Sequence, residues 1–222
     1  MRVVIAGGHG KIALILERLL SERGDSVAGF IRNPDHAADL QAAGAEALVV
    51  DLENSSAEEI ASHISGADAV VFAAGAGPGS GAARKESVDR DAAILLADAT
   101  EVAKVGRYVV VSSIGADAEA PDDAGDPVFV AYLRAKGAAD RNVRERKALK
   151  STIVRPGHLT NDPGTGRVTI AEDTGHGSIP REDVAAVLLA VLDAPGTAGQ
   201  TFEVISGDSP TAQAMATRGH RG

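Results

Sequence analysis

Along nearly the whole chain, short apolar runs alternate with segments in which apolar positions recur every three or four residues. The runs predict strands near 2–6, 26–31, 46–50, 68–73, 107–112, 151–155 and 201–205. The helix-period segments predict helices near 11–23, 35–43, 56–64, 84–104, 128–147 and 181–193. Several runs, such as Val70-Val71-Phe72 and Tyr108-Val109-Val110-Val111, are apolar at successive positions. Strands covered on both faces of a parallel sheet have that composition. The helices each show one apolar stripe, as in Ala92, Leu95, Ala99 and Val102, or Val184, Leu188 and Val191, so they cover a sheet with one face only. The alternation predicts the α/β class: a doubly wound parallel sheet in three α/β/α layers, formed by one domain over 1–209. From Pro210 onward periodicity fades, which predicts a flexible tail over 210–222. Two long segments without a clear pattern, 114–127 and 156–178, follow late strands and have the length of lids or mobile loops.

Composition narrows the picture. The 222 residues suffice for one full core, and 44% hydrophobic against 24% charged residues is ordinary for a globular protein. The chain has no cysteine, so disulfides, thiolate metal sites and cysteine nucleophiles are excluded. Its six histidines show no ligand spacing, and no metal is expected. No apolar stretch has the length of a membrane span, and the first strand begins at residue 2, where a signal peptide would have no room. A cytoplasmic protein that does not engage membranes is expected. A net charge of −9 argues against nucleic acid as a partner and leaves a small molecule as the expected one. The long helices near 84–104 and 128–147 could pair in a homodimer, but a monomer is equally compatible.

Candidate chemistry begins where the first strand ends. Val3-Val4-Ile5-Ala6 runs directly into Gly7-Gly8-His9-Gly10-Lys11-Ile12-Ala13, a strand, a tight turn and a helix with no spare residue. This is the dinucleotide-binding arrangement of the Rossmann fold. Gly7 permits the turn, Gly10 lets the main chain approach a pyrophosphate, and Ala13 keeps the helix against the sheet. The helix N-terminus offers N–H groups and partial positive charge to phosphates. A P-loop does not fit, because its first glycine would fall on Ile5 and its Ser/Thr on Ile12. A purely structural glycine turn is the plainer alternative for these residues taken alone.

The tip of the second strand distinguishes the two nicotinamide cofactors. It reads Arg32-Asn33-Pro34 with no acid; arginine suits a 2′-phosphate, whereas an acid would bind a free 2′-hydroxyl. NADP(H) is therefore expected over NAD(H), although a solvated surface arginine would fit the same residue. Lys11 could add a second cation near the phosphates or lie plainly on the surface. Asp51-Leu52, closing the third strand, could meet the adenine edge, or Asp51 could serve only as a turn residue. Ala73-Ala74-Gly75 after the fourth strand is small enough for backbone to lie against a ribose or pyrophosphate.

The fifth strand ends in Val111-Ser112-Ser113, and the helix after it carries Tyr132-Leu133-Arg134-Ala135-Lys136. Tyr132 and Lys136 stand at i and i+4, on one helix face. A nearby ammonium favours a phenolate, so the pair could move a proton at a substrate oxygen that Ser113 holds. A half-buried tyrosine beside a lysine with no chemical role is the alternative reading.

Together these residues resemble the short-chain dehydrogenase/reductase superfamily, specifically its small atypical members with an NmrA-like NAD(P)-binding domain. The resemblance covers roughly 2–206 and also draws on Thr152-Ile153-Val154-Arg155-Pro156-Gly157 and Ile179-Pro180-Arg181-Glu182-Asp183-Val184. It implies catalytic positions at Ser113, Tyr132 and Lys136. It also implies a cofactor-binding set comprising Gly7, Gly8, His9, Gly10, Lys11, Ile12, Arg32, Asp51, Leu52, Ala73, Ala74, Gly75, Ser112, Pro156, Gly157, His158 and Leu159, the last four flanking the nicotinamide. Such a chain is expected to be an NADP(H)-dependent oxidoreductase acting on a small carbonyl, quinone or flavin-like acceptor. The alternatives are a non-catalytic NADP(H) redox sensor and, more weakly, an epimerase or dehydratase, whose extended substrate region this chain lacks.

Overall fold

The structure of the protein, a computed structural model, describes residues 1–77 and 79–219. The expected strands all form: β1 Arg2–Ala6, β2 Ser26–Ile31, β3 Glu46–Val49, β4 Ala69–Phe72, β5 Arg107–Val111, β6 Lys150–Pro156. Four more follow in β7 His158–Thr160, β8 Arg167–Ala171, β9 Ser178–Pro180 and β11 Ser209–Pro210, with β10 Thr201–Ser206 matching the last expected run. Nine strands make one sheet in the order β11-β8-β10-β6-β5-β4-β1-β2-β3. Pairing is parallel from β3 across to β10, and β8 runs antiparallel to both β10 and β11. Because β1 lies between β2 and β4, the chain reverses its direction of assembly there. Doubly wound sheets open their ligand crevice at that point.

The helices are α1 Lys11–Glu22, α2 Ala37–Ala42, α3 Ala57–Ile64, α4 Ala82–Arg84, α5 Ala92–Val102, α6 Pro127–Glu145, α7 Arg181–Leu192 and α8 Thr211–Gly219. Alternating side chains of each strand enter opposite faces. Val3 and Ile5 join Leu16 and Leu20 of α1 and Val184, Leu188 and Val191 of α7 in one core. Val4 and Ala6 join Ile60 and Ile64 of α3, Leu96 of α5 and Val143 of α6 in the other. Apolar character at consecutive strand positions thus reflects two cores separated by one sheet. None of the described helices is long and apolar enough to cross a membrane.

Three expectations change. The 84–104 helix starts with the single turn of α4 and a π-helical stretch over Lys85–Asp91 before α5. The 156–178 segment is an ordered excursion: β7 and β9 pair in a separate two-stranded parallel sheet, while β8 extends the main sheet. These strands are held by backbone pairing and carry too few apolar residues to show a period. The tail expected to be flexible contributes β11 and α8, whose Met215 is buried in the first core; its final residues, 220–222, lie outside the described residues. The 114–127 segment is strapped to α6. Asp117 N–H donates to the Leu133 carbonyl, Arg134 Nε donates to the Ala120 carbonyl, and Arg134 pairs with Asp122 at 2.8 Å.

Candidate functional site

Gly7 adopts a φ of 81°, and a Cβ there would lie 2.6 Å from the Ala74 Cα. Both the turn and the approach of the β4 loop therefore require glycine. At Gly10 a Cβ would meet the Gly7 carbonyl at 3.0 Å. Gly10 precedes α1 with extended backbone, no side chain caps that helix, and its first turn contains no acidic residue. The cradle fits the pyrophosphate of a dinucleotide: main chain is exposed where side chains would fill the space, and the helix end carries partial positive charge.

Gly7, His9, Gly10, Arg32, Ala73, Ala74 and Gly75 line a groove of about 300 Å³ together with Asn33 and His36. An adjoining pocket of about 180 Å³ adds Asp51 and Leu52, with Glu53 and Arg84. Not all glycine-turn residues face this groove. Gly8 is buried against Gly29, and the Ile12 side chain belongs to the core, so only their main chain could serve a ligand. Lys11 Nζ reaches across to Asn161 Oδ1 at 3.3 Å. His9 stacks on His36 with ring centroids 3.6 Å apart, and its Nε2 lies 2.7 Å from Asp39 Oδ2.

Arg32 is not a free cation. Its Nη1 donates to Glu53 Oε2 at 2.9 Å, and Arg84 Nη2 lies 3.1 Å from the same oxygen. Ser87 Oγ donates to Glu53 Oε1 at 2.7 Å. Asp51 accepts from the Asn54 amide and the Glu53 N–H. The Asn54 bond is the main cause holding its carboxyl below the usual range, with Arg32 and Arg84 adding to that effect. Glu53 and Arg84 escaped sequence reasoning, although Ile31 pairs with Val49. Parallel pairing of β2 and β3 brings the two strand tips side by side, and that was the available signal.

Beyond the ends of β5 and β6 lies a cleft of about 650 Å³ lined by Ser112, Ser113, Tyr132, Pro156, Gly157, His158 and Leu159, together with Phe129, His176 and Arg181. Ser112 is tied inward: its Oγ donates to Asp140 Oδ2, which also accepts from Arg155 at 2.7 Å and 2.9 Å. Burial raises the Asp140 carboxyl, with Arg155 acting in opposition. Ser113 Oγ donates to the Ile114 carbonyl at 3.0 Å.

Lys136 departs from expectation. It is 4% exposed and is absent from the cleft wall. Its Nζ donates to the Val111 carbonyl at 3.1 Å and lies 3.3 Å from Asp89 Oδ1. Asp89 in turn accepts from the Ala76 N–H. A lysine one turn along from Tyr132 is thus engaged by the π-helical stretch through Asp89. The cation at the Tyr132 ring is Lys85, with Nζ 5.1 Å from the ring centroid and donating to the Gly77 carbonyl. Arg181 anchors the cleft's far wall by donating to the carbonyls of Leu159 and Thr160. Among the described residues, no group of three or more His, Asp or Glu side chains is placed to hold a metal ion.

Residues 7–195 match the model of a family described as NAD(P)H-binding. A Bacillus subtilis protein named as an uncharacterized sugar epimerase is 38% identical over 217 residues, covering 97% of this chain and 99% of that protein. A solved Bacillus halodurans structure carrying the name of an NAD-dependent epimerase/dehydratase superposes with a TM-score of 0.89 at 36% identity, over 98% and 99% of the two chains. The Lactococcus lactis oxidoreductase ylbE superposes with a TM-score of 0.85 at 25% identity, over 98% of this chain and 96% of that one.

Proposed function

The chain belongs to the NAD(P)H-binding family, and from that premise we propose that it is an NADP(H)-dependent oxidoreductase reducing a small carbonyl, quinone or flavin-like acceptor. The observation that supports this reading is that Ser113 and Tyr132 line one cleft together with Pro156, Gly157, His158 and Leu159. Gly7, Gly10 and the α1 N-terminus would hold the pyrophosphate, and Arg32 the 2′-phosphate. When bound, the nicotinamide supplies hydride exchange. Ser113 would orient the acceptor oxygen by hydrogen bonding, and the Tyr132 hydroxyl would donate the proton. Lys85, lying over the Tyr132 ring, holds that ring in place from the start of the π-helical stretch. Lys136 pairs with Asp89 of that stretch, which in turn holds the loop after β4 by accepting the Ala76 N–H.

The test is NADPH oxidation across a panel of acceptors, with Tyr132→Phe beside the wild type. The variant is expected to lose about 100-fold or more in turnover while keeping its NADPH affinity. Unchanged turnover would remove Tyr132 from the mechanism. The withdrawal of Lys136 from the cleft favours a second reading, an NADP(H) sensor, which predicts tight binding and no transfer to any acceptor. The Bacillus subtilis relative carries a sugar-epimerase name, and an epimerase or dehydratase is the third and weaker reading.

A further inference from the structure

We propose that Arg84 is the second guanidinium of the 2′-phosphate subsite, and that Glu53 is a built-in carboxylate competitor occupying Arg32 and Arg84 until a phosphorylated nucleotide arrives. The inference rests on reading the groove as an NADP(H) site. Three separate elements meet at Glu53 Oε2: Arg32 from the tip of β2, Glu53 from the turn after β3, and Arg84 from α4, at 2.9 and 3.1 Å. All three residues line the pocket that Asp51 and Leu52 close. Glu53 is held at both side chain and backbone. Its other oxygen accepts the Ser87 hydroxyl at 2.7 Å, and the Glu53 N–H donates to Asp51 at 3.0 Å.

Two guanidiniums on one oxygen form a ready-made fork for a tetrahedral dianion, whose three free oxygens accept both groups better than one carboxylate oxygen does. The guanidiniums are also free to leave Glu53. Their side chains are 59% and 44% exposed, and ion pairs that exposed contribute little. A fixed negative charge within reach of an incoming phosphate opposes it, so Glu53 lowers the preference that the arginines create. Selectivity built from an attractive and a repulsive group together is adjustable at either one.

The probes are adenosine 2′,5′-bisphosphate, AMP and inorganic phosphate, titrated calorimetrically into the whole protein. Arg84→Ala is expected to weaken bisphosphate binding about fivefold or more, and Glu53→Gln, which keeps an acceptor for Ser87, to strengthen it by a similar factor. AMP affinity should stay within about twofold in both variants. Equal changes for bisphosphate and AMP, a neutral Arg84→Ala, or weaker bisphosphate binding by Glu53→Gln would each overturn the inference. Phosphate binding as tight as the bisphosphate would assign the arginines to a free anion, which also overturns it. If these ratios behave as stated while no acceptor is reduced, only the oxidoreductase reading falls. If acceptors are reduced and the ratios do not move, only this inference falls.

Discussion

At the scale of single residues, burial imposes the sharpest costs. Glu17 of α1 is fully buried beside Gly8 and Gly29, and neither carboxylate oxygen has a hydrogen-bond partner among the described residues. Desolvation pushes it up to about 8 from an ordinary 4.5. The folded protein thus holds a proton that the unfolded chain releases above pH 4.5, so stability falls as pH rises from about 4.5 to 8 and stays low above that. The slope contributed by one such group is about 1.4 kcal/mol per pH unit. Glu17→Met should flatten that slope and raise the melting temperature more at pH 8 than at pH 5. Parallel melting curves for variant and wild type across that range would contradict it. Lys136 and Asp89 form the opposite case, a buried pair. Lys136→Met leaves Asp89 unpaired and should cost about 3–5 kcal/mol, most of it recovered when Asp89→Asn is added. Urea unfolding of the single and double variants measures both. The sequence placed Tyr132 and Lys136 on one helix face, but it could not show that Asp89, 47 positions upstream, takes the lysine. That pairing depends on where the π-helical stretch lies over α6, and no local pattern encodes it.

Elements were legible where burial is two-sided. The runs 2–6, 26–31 and 107–112 predicted β1, β2 and β5 within a residue, because a strand between two cores must be apolar throughout. Legibility ended in the excursion between β6 and α7. There His158–Thr160 and Ser178–Pro180 are three-residue strands with no room for a period. Polar groups at the start of α7 hold this region instead. Asp183 accepts from Thr165 N–H, Thr165 Oγ1 and Gly166 N–H, and Glu182 accepts from Gly164 N–H. The block Ile179-Pro180-Arg181-Glu182-Asp183-Val184 thus clasps the cleft's outer wall. Asp183→Ala removes the buried carboxylate that accepts three hydrogen bonds from the exposed Thr165 and Gly166, and should cost about 1–3 kcal/mol. Limited proteolysis should then cut within 160–178, where the wild type resists; an unchanged digestion pattern would show that the clasp does not hold the excursion.

For the whole molecule, the strand order creates the crevice and the glycine turn fills its base with main chain. The sequence was sufficient to assign residues 7–13, Arg32 and the cleft-lining Ser113 and Tyr132 to the carboxyl edge of one sheet. It was insufficient for Glu53 and Arg84, which meet only because β2, β3 and the helix after β4 end together. The function proposed for this edge is to bind a phosphorylated nicotinamide dinucleotide in preference to its unphosphorylated counterpart. Calorimetric titration of the wild-type protein with NADPH and NADH in one buffer tests it most directly. NADPH is expected to bind tighter by about tenfold or more, the equivalent of one bidentate guanidinium–phosphate contact. Equal affinities, or tighter NADH, would contradict it.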